Sequence, residues 1–175
     1  MLLCISGALR RESTNTRLLR EAARLYGGEH GFGDLNLPLY DGDLEAAEGI
    51  PARVSDLAEA ISKAEAVAIS SPEYNQSFTG VLKNALDWVS RIKGAPWHNK
   101  PVAIMSAAAG RAGGARANYA LRLALTPFRP RLLTGPEVLL ADSSNAFDDA
   151  GHLVNERSAK DLSDLMAALR AEAAR

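Results

Sequence analysis

The chain contains a single cysteine, so no disulfide can form within it. Cys4 falls inside the apolar run LLCIS, where a thiol is expected to be buried and inert. Net charge is nearly absent: 20 Lys and Arg against 21 Asp and Glu leave −1 at pH 7. That balance gives no basis for nucleic acid or an anionic membrane as the main partner. No apolar stretch approaches the ~20 residues that a membrane span needs. The first residues lack the basic region and long apolar segment of a secretory leader. A reducing cytoplasm is therefore the expected setting. Internal repeats, low-complexity tracts and linkers are also missing, so residues 1–175 are expected to form one domain.

The familiar nucleotide signatures are missing too. There is no GxxxxGK followed by Ser or Thr, which argues against a P-loop hydrolase. There is no GxGxxG, so the dinucleotide fingerprint is absent. A response-regulator receiver needs acidic residues at the ends of its first and third strands, where this chain has Ser6 and Ser70–Ser71.

What the sequence does contain is an alternation of strand and helix patterns. LLCIS (Leu2–Ser6) and AVAIS (Ala66–Ser70) are short apolar runs that read as strands. So does PVAIMS (Pro101–Ser106), while GPEVLL (Gly135–Leu140) supplies a fifth strand and GFGDLNLPL holds a loosely bounded second. Between them, apolar residues recur at helical spacing. Leu18, Leu19, Ala22, Ala23 and Tyr26 mark one helix, with Arg17, Arg20 and Arg24 on its solvated side. Pro51–Ala64 marks a second, and Val81 to Val89 a third. On the third, Lys83, Asp87 and Arg91 stand at i, i+4 steps and can pair. A fourth helix carries Leu121, Leu123 and Leu125, and a last one Leu162, Leu165, Met166 and Leu169. Five such units imply an α/β fold, a parallel sheet with helices on both faces. In such sheets ligands bind outside the carboxyl ends of the strands. That points to Gly7–Asn15, Ser71–Thr79 and Ala107–Gly114, the three most unusual loops in the chain.

The first loop, SGALRRESTN, leads straight into a helix. Unpaired N–H groups at a helix start favour an anion. Ser13, Thr14, Asn15 and Thr16 add short donors, and the guanidinium groups of Arg10 and Arg11 match phosphate. A plain helix cap with solvated arginines would use the same hydroxyls. The glycine, the two arginines and the strand-one position together favour a phosphate ester. The second loop, SPEYNQSFTG, combines rings at Tyr74 and Phe78, amides at Asn75 and Gln76, and a rigid bend at Pro72. Such a segment can grip the edge of a planar heterocycle, and Ser77 or Thr79 can cap the helix that follows. Tyr74 packed into the core, beside a cap and a turn, is the plainer alternative.

SPEYNQSFTGVLKNALDWVSR resembles the signature of the NAD(P)H-dependent FMN reductase family, roughly S/T-P-E-Y-N-x-S-x-P-G-x-L-K-N-A-x-D-W. SGALRRESTNTRLL resembles that family's phosphate loop, and SAAAGRAGGARA its third loop, with a glycine pair before a helix. Two positions depart from the pattern: Ala8 stands where serine is usual, and Thr79 where proline is usual. The resemblance implies a flavodoxin-like, doubly wound, five-stranded parallel sheet of order 2-1-3-4-5, with FMN as cofactor and NADPH or NADH as donor. It implies that Arg10, Ser13, Asn15 and Thr16 hold the 5′-phosphate, with Ser6 supporting their loop. Pro72, Glu73, Tyr74 and Asn75 would line the isoalloxazine, and Ser106 with Ala109–Gly114, including Gly110 and Gly113, would close the other side. No catalytic side chain and no metal are required. The expected partner is a small-molecule electron acceptor, such as a quinone, free flavin, azo or nitro compound or oxidised metal, and the expected assembly a homodimer or homotetramer. Trp88, Trp97 and Phe78 would serve either that interface or the core. Arg111 and Arg116, in or just after the third loop, are candidates for the phosphates of NADPH; solvated arginines are the alternative. The rival from another class is a flavodoxin-type single-electron carrier. Such carriers are strongly acidic, against a pI near 6.3 here.

Overall fold

A computed structural model describes all 175 residues. The strands are β1 (Leu2–Ser6), β2 (His30–Gly33), β3 (Ala66–Ser70), β4 (Pro101–Ala107), β5 (Arg131–Leu132) and β6 (Val138–Leu140). The helices are α1 (Thr14–Tyr26), α2 (Gly42–Glu48), α3 (Ala52–Lys63), α4 (Gly80–Val89), α5 (Ala115–Leu125) and α6 (Glu156–Ala173). All pairings between strands are parallel, in the order β2-β1-β3-β4-β5, and β6 also pairs with β4.

Successive strand residues face opposite sides, and the sequence uses this to build two cores. Leu2 and Cys4 of β1, Ala66 and Ala68 of β3, and Ala103 and Met105 of β4 face α1 and α6. Leu3 and Ile5, Val67 and Ile69, and Val102 and Ile104 face α3, α4 and α5. Alanine dominates β3 and the start of β4 on the α1/α6 side, which lets those helices lie close to the sheet. Bulky residues fill the other side. The Cys4 thiol is buried, and desolvation pushes it up to about 12.

Three details depart from the sequence expectations, and one open alternative is decided. The fifth strand is divided. Arg131–Leu132 pairs with the start of β4 and Val138–Leu140 with its end, so of Gly135–Leu140 only the last three residues are strand. Pro136 has no N–H to give a ladder, so the break falls where the chain cannot pair. The helix α2 was not anticipated; none of its residues is buried, so it carries no apolar stripe to read. Arg91 does not continue the Lys83–Asp87 pair but bonds Glu45 of α2 at 2.9 Å. Trp88 and Trp97 are 0% and 2% exposed, so they are interior residues and not a free interface. The Trp88 indole donates to the Pro38 carbonyl at 2.8 Å.

Candidate functional site

The loops after β1, β3, β4 and β6 surround a cavity of about 350 Å³ at the carboxyl end of the sheet. A larger hollow of about 400 Å³ lies beside β5 and the end of α6, away from these loops. Size alone does not select the site; converging polar groups do.

At the first loop, Ser13 caps α1, its hydroxyl accepting from the Thr16 N–H at 3.4 Å. The first turn of α1 holds no acidic residue, so its positive end faces the cavity uncompensated from within the helix. Arg10, Ser13, Thr14 and Asn15 line the cavity wall, as does one carboxylate, Glu12. Ser6 does not line it. Its hydroxyl bonds that of Thr16 at 2.8 Å, which ties the end of β1 to α1 beneath the loop.

The second loop is built on a tight turn. Tyr74 and Ser77 exchange both backbone hydrogen bonds, at 2.9 and 3.1 Å. Asn75 and Gln76 between them have φ of 50° and 66°, a left-handed pair that asparagine tolerates well. Pro72, Glu73 and Tyr74 line the cavity, and Tyr74 is 57% exposed, so its ring stands at the mouth and is not core. Asn75 is at the exposed tip and not on the cavity wall. Thr79 takes the cap position of α4 without capping it. Its hydroxyl instead donates to the Gly7 carbonyl at 2.6 Å, tying the second loop to the first.

In the third loop, Ala107, Ala108 and Ala109 line the cavity, while Gly110, Arg111 and Gly113 do not. Ser106 is fully buried and donates to the Ser71 carbonyl at 2.5 Å. Gly113 (φ 59°) and Gly114 (φ 85°) carry the chain into α5. Glu73 bonds Arg116 from the neighbouring loop, whereas Arg111 is exposed and makes no ion pair.

One buried amide joins these parts. The Asn15 side chain donates to the Ala107 carbonyl at 2.8 Å and accepts from Ser70 at 2.7 Å and from the Ala107 N–H at 3.0 Å. It thus links α1, β3 and β4 at one point. Most buried polar side chains of the protein, among them Ser13, Asn15, Ser70, Ser71, Thr79, Ser106 and Ser143, lie at this end of the sheet. Buried polar groups need partners, and here they find them in one another and in the backbone of the neighbouring loops, so the rim is braced from within the chain. Sequence reasoning missed Ser143 and Ser144, which line the fourth side; Thr14 bonds Ser143 at 3.1 Å. The rule that marked the other loops would have found them, because the polar stretch from Ala141 also follows a strand.

No histidine lines the cavity, and no group of three or more His, Cys, Asp or Glu is placed to hold a metal ion. The cavity offers donors at one end and an exposed ring at the other, without an acid–base pair. Residues 1–145 match the family of NADPH-dependent FMN reductases. The chain belongs to that family. It is 41% identical over 172 residues to an NAD(P)H-dependent FMN reductase of Pseudomonas aeruginosa, covering 97% of this chain and 92% of the relative. It is 36% identical over 160 residues to a quinone reductase of Escherichia coli, covering 89% and 85%. Among solved structures, the flavoenzyme FerB, an NAD(P)H:acceptor oxidoreductase from Paracoccus denitrificans, superposes with a TM-score of 0.89 at 30% identity, over 99% of this chain and 96% of that one. The flavodoxin-like fold, the FMN cofactor, NAD(P)H as donor and oxidoreductase activity follow from that membership. The braced cavity fits such a cofactor: a helix N-terminus with Arg10 and Ser13 suits a phosphate, and the span to Tyr74 suits a ring.

Proposed function

We propose that this FMN reductase passes electrons from NAD(P)H to a small, planar acceptor, with quinones first among them, in a ping-pong cycle. The observation that carries this reading is the cavity itself: its wall is made of loops tied to one another, and Tyr74 on that wall is exposed. A single cavity of about 350 Å³ that already holds a flavin would take donor and acceptor by turns. FMN, when bound, accepts and gives up hydride, chemistry that no side chain of this cavity supplies. The chain's part is to hold and orient. Arg10, Ser13 and Thr14 bind the phosphate at the α1 N-terminus. Asn15, Ser6 and Thr16 hold that loop in place. Pro72, Glu73, Tyr74 and the turn through Asn75 shape the ring's wall, and Ala107–Ala109, backed by Ser106, Gly110 and Gly113, shapes the other. Backbone N–H groups and Arg10 favour added negative charge in the cavity.

Similarity to a quinone reductase supports the acceptor class. For the donor, Arg116 is engaged by Glu73 and Arg111 is free, which makes Arg111 the first candidate for the phosphates of NADPH. A homodimer or homotetramer in the cytoplasm completes the proposal. No helix is long and apolar enough to cross a membrane. Initial velocities measured against NADPH at several fixed quinone concentrations test the cycle. Parallel double-reciprocal lines are expected, and lines that intersect would overturn it.

A further inference from the structure

The start of α5 has an unusual construction. Gly113 and Gly114 are fixed by contact: a Cβ at Gly113 would lie 2.4 Å from the Leu139 carbonyl oxygen, and one at Gly114 would lie 1.9 Å from the Ser106 hydroxyl. Gly114 therefore occupies the N-cap position of α5 with no side chain to cap it. The orphan N–H groups of that first turn need another acceptor. Glu73 supplies it from a different loop. One carboxylate oxygen accepts from the Arg116 backbone N–H at 3.0 Å, and the other accepts from the Arg116 guanidinium at 3.3 Å. The Glu73 side chain is 15% exposed, while that of Arg116 is 62% exposed. The backbone bond is the shorter of the two.

Glu73 also stands between Pro72 and Tyr74 on the cavity wall, directly before the left-handed turn at Asn75 and Gln76. We infer that Glu73 is a positioning residue: by capping α5 from the neighbouring loop, its carboxylate fixes the ring-facing segment Pro72–Tyr74 against the third loop. The same contact gates Arg116. A donor phosphate that takes the guanidinium must take it from Glu73, while the backbone bond and the wall it holds stay in place. This second consequence rests on Arg116 joining Arg111 at the phosphates of NADPH.

Two variants separate the parts. Glu73→Gln keeps an acceptor for the Arg116 N–H and gives up the ion pair; Glu73→Ala loses both. Fluorescence titration of the apoprotein with FMN should show Glu73→Ala weakened about fivefold, the equivalent of one lost helix cap, and Glu73→Gln within about twofold of the parent. Hydrogen exchange at the Arg116 amide should stay slow in Glu73→Gln and become fast in Glu73→Ala. Equal weakening in both variants, or parental FMN affinity in Glu73→Ala, would overturn the positioning role. Steady-state kinetics read the gate. Glu73→Gln should lower KM for NADPH about threefold, of the order of one surface ion pair released, and leave KM for NADH unchanged. If KM for NADPH does not move while the FMN series behaves as expected, the donor role of Arg116 is overturned and the latch stands.

Discussion

At the residue scale, the two side chains that look most reactive are not paired with each other as acid and base. Glu73 and Tyr74 are the only carboxylate and phenol in the second loop, yet Glu73 is bound to Arg116 and Tyr74 stands open at the mouth. Arg111 differs, because nothing within the chain takes its charge. Replacing it with alanine should raise KM for NADPH roughly tenfold or more and leave KM for NADH nearly unchanged, as one charge-assisted phosphate contact is worth ~1.5–3 kcal/mol when made. Equal effects on the two donors would remove Arg111 from the donor site. Away from the cavity, Glu21 is 5% exposed, held by two hydrogen bonds from Arg24 and one contact to His152. The Arg24 hydrogen bonds, then His152, hold its carboxyl below the usual range against the opposing effect of burial. A carboxylate lowered in the folded state stabilises above its unfolded value, about 4.3 for Glu. That contribution is lost as pH falls through the folded value. Glu21→Gln should therefore cost about 1–2 kcal/mol at pH 7, and denaturant unfolding of parent and variant should converge as pH falls from about 4 through the lowered folded value. A constant difference across that range would contradict the assignment.

At the scale of elements, the cavity is made by loops that are tied to one another. Asn15 joins α1 to β3 and β4, Thr79 joins the second loop to the first, and Ser106 joins β4 to Ser71. The glycines of the third loop are not equivalent. Nothing lies within 4 Å of a Cβ built at Gly110, whereas at Gly113 it would meet the backbone of Leu139 at 2.4 Å with φ at 59°. Gly113→Ala should cost about 3 kcal/mol or more, roughly 6–12 °C in Tm, and weaken FMN binding. Gly110→Ala should leave both nearly unchanged. Thermal unfolding of the pair checks this, and equal tolerance would contradict the packing argument. Much of this was legible in the sequence. Apolar runs marked β1, β3 and β4, because these strands are buried on both faces, and helical periodicity marked α1, α3, α4 and α6, because each helix buries one face. The partners of the polar residues were not legible. Asn15 and Ser106 read as ligand donors because their type is visible, but their contacts with Ala107 and Ser71 span 92 and 35 residues and exist only in the folded chain. The divided fifth strand escaped for a related reason: β5 and β6 are short, only two and three residues, too short for a period to show.

At the scale of the whole molecule, a parallel sheet between two helical layers brings four strand ends to one edge, and the chain places its buried polar residues there. With Trp88 and Trp97 interior, an oligomer must use other residues. Sedimentation of the flavin-loaded protein at micromolar concentration is expected to give a dimer or tetramer, and a monomer would remove that part of the proposal. Near-neutral charge sets this chain apart from an acidic carrier steered to protein partners. The direct test of the account is an anaerobic half-reaction. The FMN-loaded protein is mixed with NADPH in a stopped-flow instrument, and the yellow absorbance is followed before and after a quinone is added. The account predicts rapid bleaching by NADPH alone and return of the colour with the quinone. A yellow spectrum left unchanged by NADPH would contradict it and point to a carrier reduced by another protein.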